Sequence, residues 1–159
     1  MIWPTPFETP ERRIEENWID YNGHLNMAFY NVLFDQALDR VFDALGIGVE
    51  YVEQQAGSYF VLEAHVCYLD ELSLDDPVRV TYQLLDYDQK RLHLFAHMYH
   101  AREGYLAATS EQLLLHVDMK SRRSRPVPEP IRETLAQVLA CHKKLSVPEQ
   151  AGRPMGIRR

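Results

Sequence analysis

The stretch MAFYNVLFDQALDRVFDAL, residues 27–45, decides the fold. Tyr30, Leu33, Phe34, Ala37, Val41, Ala44 and Leu45 recur at three- and four-residue spacing, the period of an amphipathic helix. Gly46 and Gly48 mark its end, since glycine accepts the left-handed cap conformation without a Cβ clash. Asn31, Asp35, Asp39 and Asp43 make one polar edge, while Met27, Ala28, Phe29, Leu38 and Phe42 spread apolar surface over much of the remaining circumference. Such a helix is expected to be wrapped by other elements rather than laid on a surface.

Outward from this helix, the chain supplies a sheet. Val49 to Gln55 reads as a short helix before Gly57, and four segments of strand character follow. They run from Ser58 to about Leu69, through Val78, Val80, Tyr82 and Leu84 alternating with Arg79, Thr81 and Gln83, from Arg91 to His100, and from Tyr105 to Met119. Short turns between consecutive strands make an antiparallel meander. Upstream, residues 8 to 20 read as a further strand with imperfect alternation. Downstream, Pro126, Pro128 and Pro130 introduce a terminal helix striped by Ile131, Leu135, Val138, His142 and Leu145. The expectation is an α+β chain, a single domain over residues 1–159, in which an antiparallel sheet curls around one long central helix. A C-terminal helix and tail are added from about residue 128. The helix's apolar surplus and the sheet edges predict a homodimer or homotetramer, because neither is easily left in water.

Composition narrows the partners. With 159 residues, 46% of them hydrophobic, one core forms without metal or disulfide staples. A net charge of −6 argues against nucleic acid, which needs a basic footprint. Cys67 and Cys141 stand in apolar stretches without a Cys-x-x-Cys pair, as free thiols of a reducing compartment do. No signal-like start and no apolar run of membrane-spanning length is seen, so a soluble, cytoplasmic protein is expected.

Chemistry concentrates between the first strand and the helix, in Trp18-Ile19-Asp20-Tyr21-Asn22-Gly23-His24-Leu25-Asn26. The first N–H groups of a helix lack intrahelical acceptors and carry the positive end of its dipole, so the Asn26 to Phe29 turn can receive developing negative charge. Asp20, ionised at neutral pH, can attack a carbonyl there or orient a water. Gly23 permits a positive φ or a close backbone approach. His24 either donates to the substrate or holds the turn through a backbone carbonyl, and Asn26 is an N-cap that exposes the helix donors. The competing reading of Asp20 is a plain Asx-turn at the helix entry.

This segment resembles the hotdog-fold thioesterases of the 4-hydroxybenzoyl-CoA thioesterase kind, whose motif reads Asp-x-x-Gly-His-hydrophobic-Asn and is met by Asp20, Gly23, His24, Leu25 and Asn26. The strand ending Val66-Cys67-Tyr68-Leu69, the turn Asp75-Asp76 and the strand Val78-Arg79-Val80 resemble the family's next elements, so the likeness covers about residues 8 to 120. It implies acyl-CoA thioester hydrolysis with Asp20, Gly23, His24, Asn26 and Met27 as the catalytic set. Met27 stands where the family commonly has a second asparagine. It also implies that Lys120, Arg122, Arg123 and Arg125, with Lys90 and Arg91 as weaker candidates, hold the phosphates of coenzyme A, which belongs to the substrate and is not a separate cofactor. It further implies that Ser58 to Glu63 of a second chain complete the pocket. The run from Trp18 to His24 is most similar to thioesterase domains associated with carnitine dehydrogenases, which implies betainyl-CoA as substrate, with Trp18, Tyr21, Phe29, Tyr30, Tyr59 and Phe60 as a candidate aromatic pocket. A hotdog hydratase or dehydratase and a non-catalytic acyl-CoA-binding module are the alternatives. No metal is expected: His93 and His97 have ligand-like spacing but no third ligand can be named. No Gly-x-Ser-x-Gly elbow or phosphate-cradling glycine loop is present. Glu63 and His65 stay open, because alternation does not say which side of their strand faces inward.

Overall fold

The computed structural model describes residues 2–159. The helix α1 spans Met27–Leu45. Its N-cap, Asn26, accepts from Ala28 N through its side chain, and Gly46 closes the other end at φ 72°. α2 follows at Val49–Gln55. The long strands are β3 (Gly57–Tyr68), β4 (Pro77–Tyr87), β5 (Arg91–His100) and β6 (Leu106–Asp118), with α3 at Glu129–His142. Each matches the element read from the sequence to within one residue at its ends, except that β4 runs three residues beyond Leu84 and α3 stops three short of Leu145.

The amino-terminal segment differs. Two short strands, β1 (Phe7–Glu8) and β2 (Arg12–Arg13), pair with β4, and a 3-10 turn at Glu16–Trp18 follows. A continuous strand over residues 8 to 20 is therefore not formed. Pro10 has no N–H to give the ladder, and the charged run from Glu11 to Glu16 offers no alternating apolar face.

The sheet order is β1-β4-β5-β6-β3, all antiparallel, with β2 also on β4 and a two-residue β7 (Arg123–Ser124) on β6, so only β4, β5 and β6 form the expected meander and β3 pairs with β6 instead of β4. On β5, Leu92, Leu94, Ala96 and Met98 face inward to α1 and are fully buried. Against them lie Tyr30, Leu33, Phe34, Ala37, Leu38, Val41 and Leu45 of α1. Tyr82, fully buried, donates its hydroxyl to Phe34 O at 2.9 Å and so ties sheet to helix at the centre. This is the wrapped central helix of the hotdog architecture.

One edge of this sheet is finished and the other is not. Beyond β4, His142 of α3 accepts from Leu84 N at 2.8 Å and donates to Pro4 O at 2.8 Å. The chain then crosses the sheet's outer face. Ser146 O accepts from Gln83, Gly152 N donates to the Glu111 carboxylate at 2.9 Å, and Arg153 reaches Cys67 Sγ. Edge strand β3, by contrast, carries Phe60, Val61 and Leu62 exposed at 38, 47 and 56%, around a bulge between Val61 and Glu63. The apolar surplus thus lies on β3 and not on α1, whose single large exposed apolar residue is Met27. The sequence places it on the helix because Phe29 and Phe42 read as surface there, whereas both pack against the core.

Candidate active site

The segment between the 3-10 turn and α1 is a tight loop closed by its own backbone. Asp20 N donates to His24 O at 3.2 Å, Gly23 N to Asp20 O at 3.0 Å, and Asn26 N to Trp18 O at 2.9 Å. Gly23 takes φ 82°, where a side chain would be strained. Leu25 N donates to Leu72 O at 2.8 Å and stitches the loop to the chain that leaves β3.

Within this loop the Asp20 carboxylate is held at both oxygens. Oδ1 accepts from Asn22 N at 2.8 Å, and Oδ2 accepts from Asn26 Nδ2 at 3.0 Å. The same Asn26 side chain caps Ala28 N at 2.9 Å. One asparagine therefore fixes both the carboxylate and the start of α1. Asn26 also consumes helix donors, since Phe29 N bonds to Asn26 O. Met27 N remains without a protein acceptor among the described residues, which narrows the anion-receiving turn read from the sequence to this one N–H. His24 Nδ1 lies 3.2 Å from Leu25 O, and because a carbonyl only accepts, the proton of a neutral ring sits on Nδ1. Of the two readings of His24, this geometry fits the second: the ring braces the turn. Its Nε2 lies 3.9 Å from Glu71 Oε1.

A cleft opens here, lined on one side by Asp20, His24, Asn26 and Met27 and on the other by Tyr30, Tyr68, Asp70 and Glu71. Tyr30 and Tyr68 meet edge to face with centroids 5.1 Å apart. Burial pushes the Tyr30 hydroxyl up to about 12, so it stays protonated and donates to Asp70 O at 3.2 Å. Residues 68–71 carry no local signal of their own; they join the site through the Leu25–Leu72 contact, which no spacing in the sequence announces. Of the six aromatics considered as a pocket, Tyr21 and Tyr30 line the cleft. Trp18 and Phe29 stack on each other at 5.8 Å against the core, Tyr59 is buried beside His116, and Phe60 stands on β3.

The basic cluster does not join Asp20 within one chain. Gly57 pairs with Asp118 and Tyr68 with Ala108, so the turn carrying Lys120 to Arg125 sits at the far end of β3. The two ends of this 12-residue strand lie roughly 35 Å apart. Arg125 is committed to Asp118 at 2.7 Å and to Gln55 O at 3.0 Å, which removes it from the free cations. Lys120 and Arg123 are exposed, and Arg122, at φ 59°, places its guanidinium 5.5 Å from the Phe60 ring. Lys90 donates to Ser124, and Arg91 pairs with Asp88. Glu63, His65 and His93 line a separate cleft on the outer face, where His93 bonds Glu111 at 2.8 Å. Among the described residues no group of three or more His, Cys, Asp or Glu side chains is placed to hold a metal, and no helix is long and apolar enough to cross a membrane.

A sheet wrapped on a central helix, with a fixed carboxylate at that helix's amino end, defines the class of hotdog thioesterases. The chain belongs to the thioesterase-like superfamily, whose model matches residues 14–135. It is 37% identical over 153 residues to a betainyl-CoA thioesterase of Pseudomonas aeruginosa, covering 96% of this chain and 94% of that protein. It is likewise 37% identical over 155 residues, 97% of its length, to an L-carnitine dehydrogenase/betainyl-CoA thioesterase of Rhizobium meliloti, of which it spans 31%. Among solved structures, a Staphylococcus aureus protein in complex with CoA superposes at TM-score 0.90 with 32% identity, over 99% of both chains.

Proposed function

We propose that the protein hydrolyses an acyl-CoA thioester to the free acid and CoA, with betainyl-CoA as substrate, and that it does so as a homodimer. The observation that carries this reading is the Asp20 carboxylate, held at both oxygens beside the unpaired Met27 N–H at the start of α1. A thioester carbonyl seated between them meets a negative oxygen at carbon and a donor at oxygen. Asp20 attacks the carbonyl itself or takes a proton from the attacking water; both need its charge. The C–S bond then breaks and the thiolate of CoA takes up a proton; where Asp20 is itself the nucleophile, water next hydrolyses the acyl-aspartyl anhydride, releasing the acid and restoring the carboxylate. Gly23 and His24 shape the loop, and Asn26 positions Asp20. The similarity to proteins named betainyl-CoA thioesterases supports the acyl group.

The exposed β3 edge supports the proposed dimer. Antiparallel pairing of two β3 edges about their exposed middle covers Phe60, Val61 and Leu62 and brings the far end of one strand beside the Tyr68 end of the other. Lys120, Arg122 and Arg123 of one chain then stand by the Asp20 cleft of its partner, where they hold CoA phosphates. Release of free thiol from a panel of saturated, enoyl and aryl CoA esters tests the function. Hydration of an enoyl ester without thiol release, or tight binding without turnover, would replace it by one of the two alternatives.

A further inference from the structure

Resting on thioester hydrolysis at Asp20, we infer that Asp70 and Glu71 make the cleft selective for an acyl group carrying a fixed positive charge, a quaternary ammonium next to the carbonyl. Within one chain the cleft's charged lining is Asp20, Asp70 and Glu71, with no lysine or arginine, and the cations proposed to arrive from a second chain answer the CoA phosphates and not the acyl group. Other clefts of the molecule each contain a cation: Arg91 and Arg153 on the outer face, Arg12 and Arg40 beside α1, Arg132 near α3. The one basic group present, His24, is turned toward Glu71 and bonded to its own loop.

Two carboxylates in addition to Asp20 are a poor setting for this chemistry unless the substrate answers them. Hydrolysis builds negative charge on the carbonyl oxygen, and each neighbouring carboxylate opposes that charge. A neutral acyl group leaves the opposition unbalanced, and an anionic one adds to it. A trimethylammonio group two bonds from the carbonyl carbon places its charge roughly 2.5 Å from the reacting centre, where it offsets both the carboxylates and the developing oxyanion. The aromatic pair completes the match. Tyr68, 42% exposed and braced edge to face by the buried Tyr30, offers ring surface to N-methyl groups, which have no N–H to satisfy and bind through cation–π attraction. Glu71 is well exposed in the single chain and is screened by salt, so its effect is moderate and depends on ionic strength.

The test compares betainyl-CoA with 3,3-dimethylbutanoyl-CoA, the neutral ester of the same shape, and with malonyl-CoA, which is anionic; the CoA charge is common to all three. The wild-type protein is expected to prefer the cationic ester in kcat/KM by at least about tenfold over the neutral one and more over the anionic one, with the preference shrinking as salt is raised. In Glu71→Gln, and further in Glu71→Gln combined with Asp70→Asn, the ratio of the cationic to the neutral ester is expected to fall at least about threefold per residue. A merely structural role would lower both esters together and leave the ratio alone. A ratio near one in the wild type, or an unchanged ratio in both variants, overturns the inference while leaving hydrolysis intact. Turnover of none of the three esters overturns this inference, and it overturns the hydrolase reading as well where the aryl and enoyl esters of the wider panel also release no thiol.

Discussion

Asp20, Gly23, His24, Asn26 and Met27 fall within eight consecutive positions, and their neighbourhood was legible because local backbone holds it: an Asx contact, a positive-φ glycine and an N-cap. Tyr68 to Glu71 were not legible as a wall of the cleft, since they arrive through a tertiary contact. Nor was the loss of Arg125 to Asp118, which depends on how a turn folds back. The tight clamp on Asp20 makes its replacement informative. In Asp20→Asn the amide oxygen can still accept from Asn22 N, but the amide nitrogen is a donor facing the donor Asn26 Nδ2, so one hydrogen bond is lost and the fold retained. Thiol release is expected to fall well over tenfold, a barrier change above about 1.4 kcal/mol. A variant keeping more than a tenth of the rate removes Asp20 from the centre of the reaction. Asn26→Ala is expected to do two things at once: lower stability by about 1 kcal/mol through the lost cap, and lower kcat by freeing Asp20. Thermal melts and kinetics on the same preparation check it, and a loss of stability with unchanged kcat would separate the cap from the site.

At the scale of elements, periodicity located α1 and β4, while turn residues bounded α2, β3, β5 and β6. Periodicity failed at residues 8 to 20, where pairing to β4 is made in two-residue pieces around Pro10. α3 was visible as a stripe, but its role was not: His142, the stripe's polar member, closes the β4 edge as a neutral imidazole that accepts at Nδ1 and donates at Nε2. Burial holds the His142 pKa below its ordinary value, with the bond to Pro4 O opposing in part. Above the unfolded value of about 6.5, both states are neutral and the contact contributes fully. As pH falls below it, the unfolded chain takes a proton that the folded imidazole refuses, so stability declines. His97 and His116, lowered likewise by burial, act in the same direction. The urea midpoint is therefore expected to drop between pH 7 and pH 5. His142→Gln, which keeps one acceptor and one donor, should shrink that drop; an identical drop in the variant would show that His142 does not titrate across unfolding.

For the molecule as a whole, the unpaired edge and the distant basic turn are one problem with one solution. β1, β2 and α3 finish the β4 side, residues 146–153 cross the outer face, and β3 is left with exposed apolar residues. In the proposed dimer, antiparallel β3 pairing would put Lys120, Arg122 and Arg123 of each chain at the other chain's cleft, and the proposed phosphate contacts would then be made in trans. Mixed dimers decide this. Asp20→Asn gives a chain without turnover but with its basic turn intact. Ala at 120, 122 and 123 gives a chain with Asp20 intact and a raised KM; Arg125 is left in place because it holds Asp118. After the two homodimers are dissociated and reassembled together, a trans arrangement gives each mixed dimer one fully native site, about a quarter of all sites at equal mixing. A component with wild-type KM should then appear that neither parent shows. In a cis arrangement no site holds both Asp20 and the three cations, and the mixture would show only the average of its parents. That average, with subunit exchange verified by native mass spectrometry, would rule the trans clamp out.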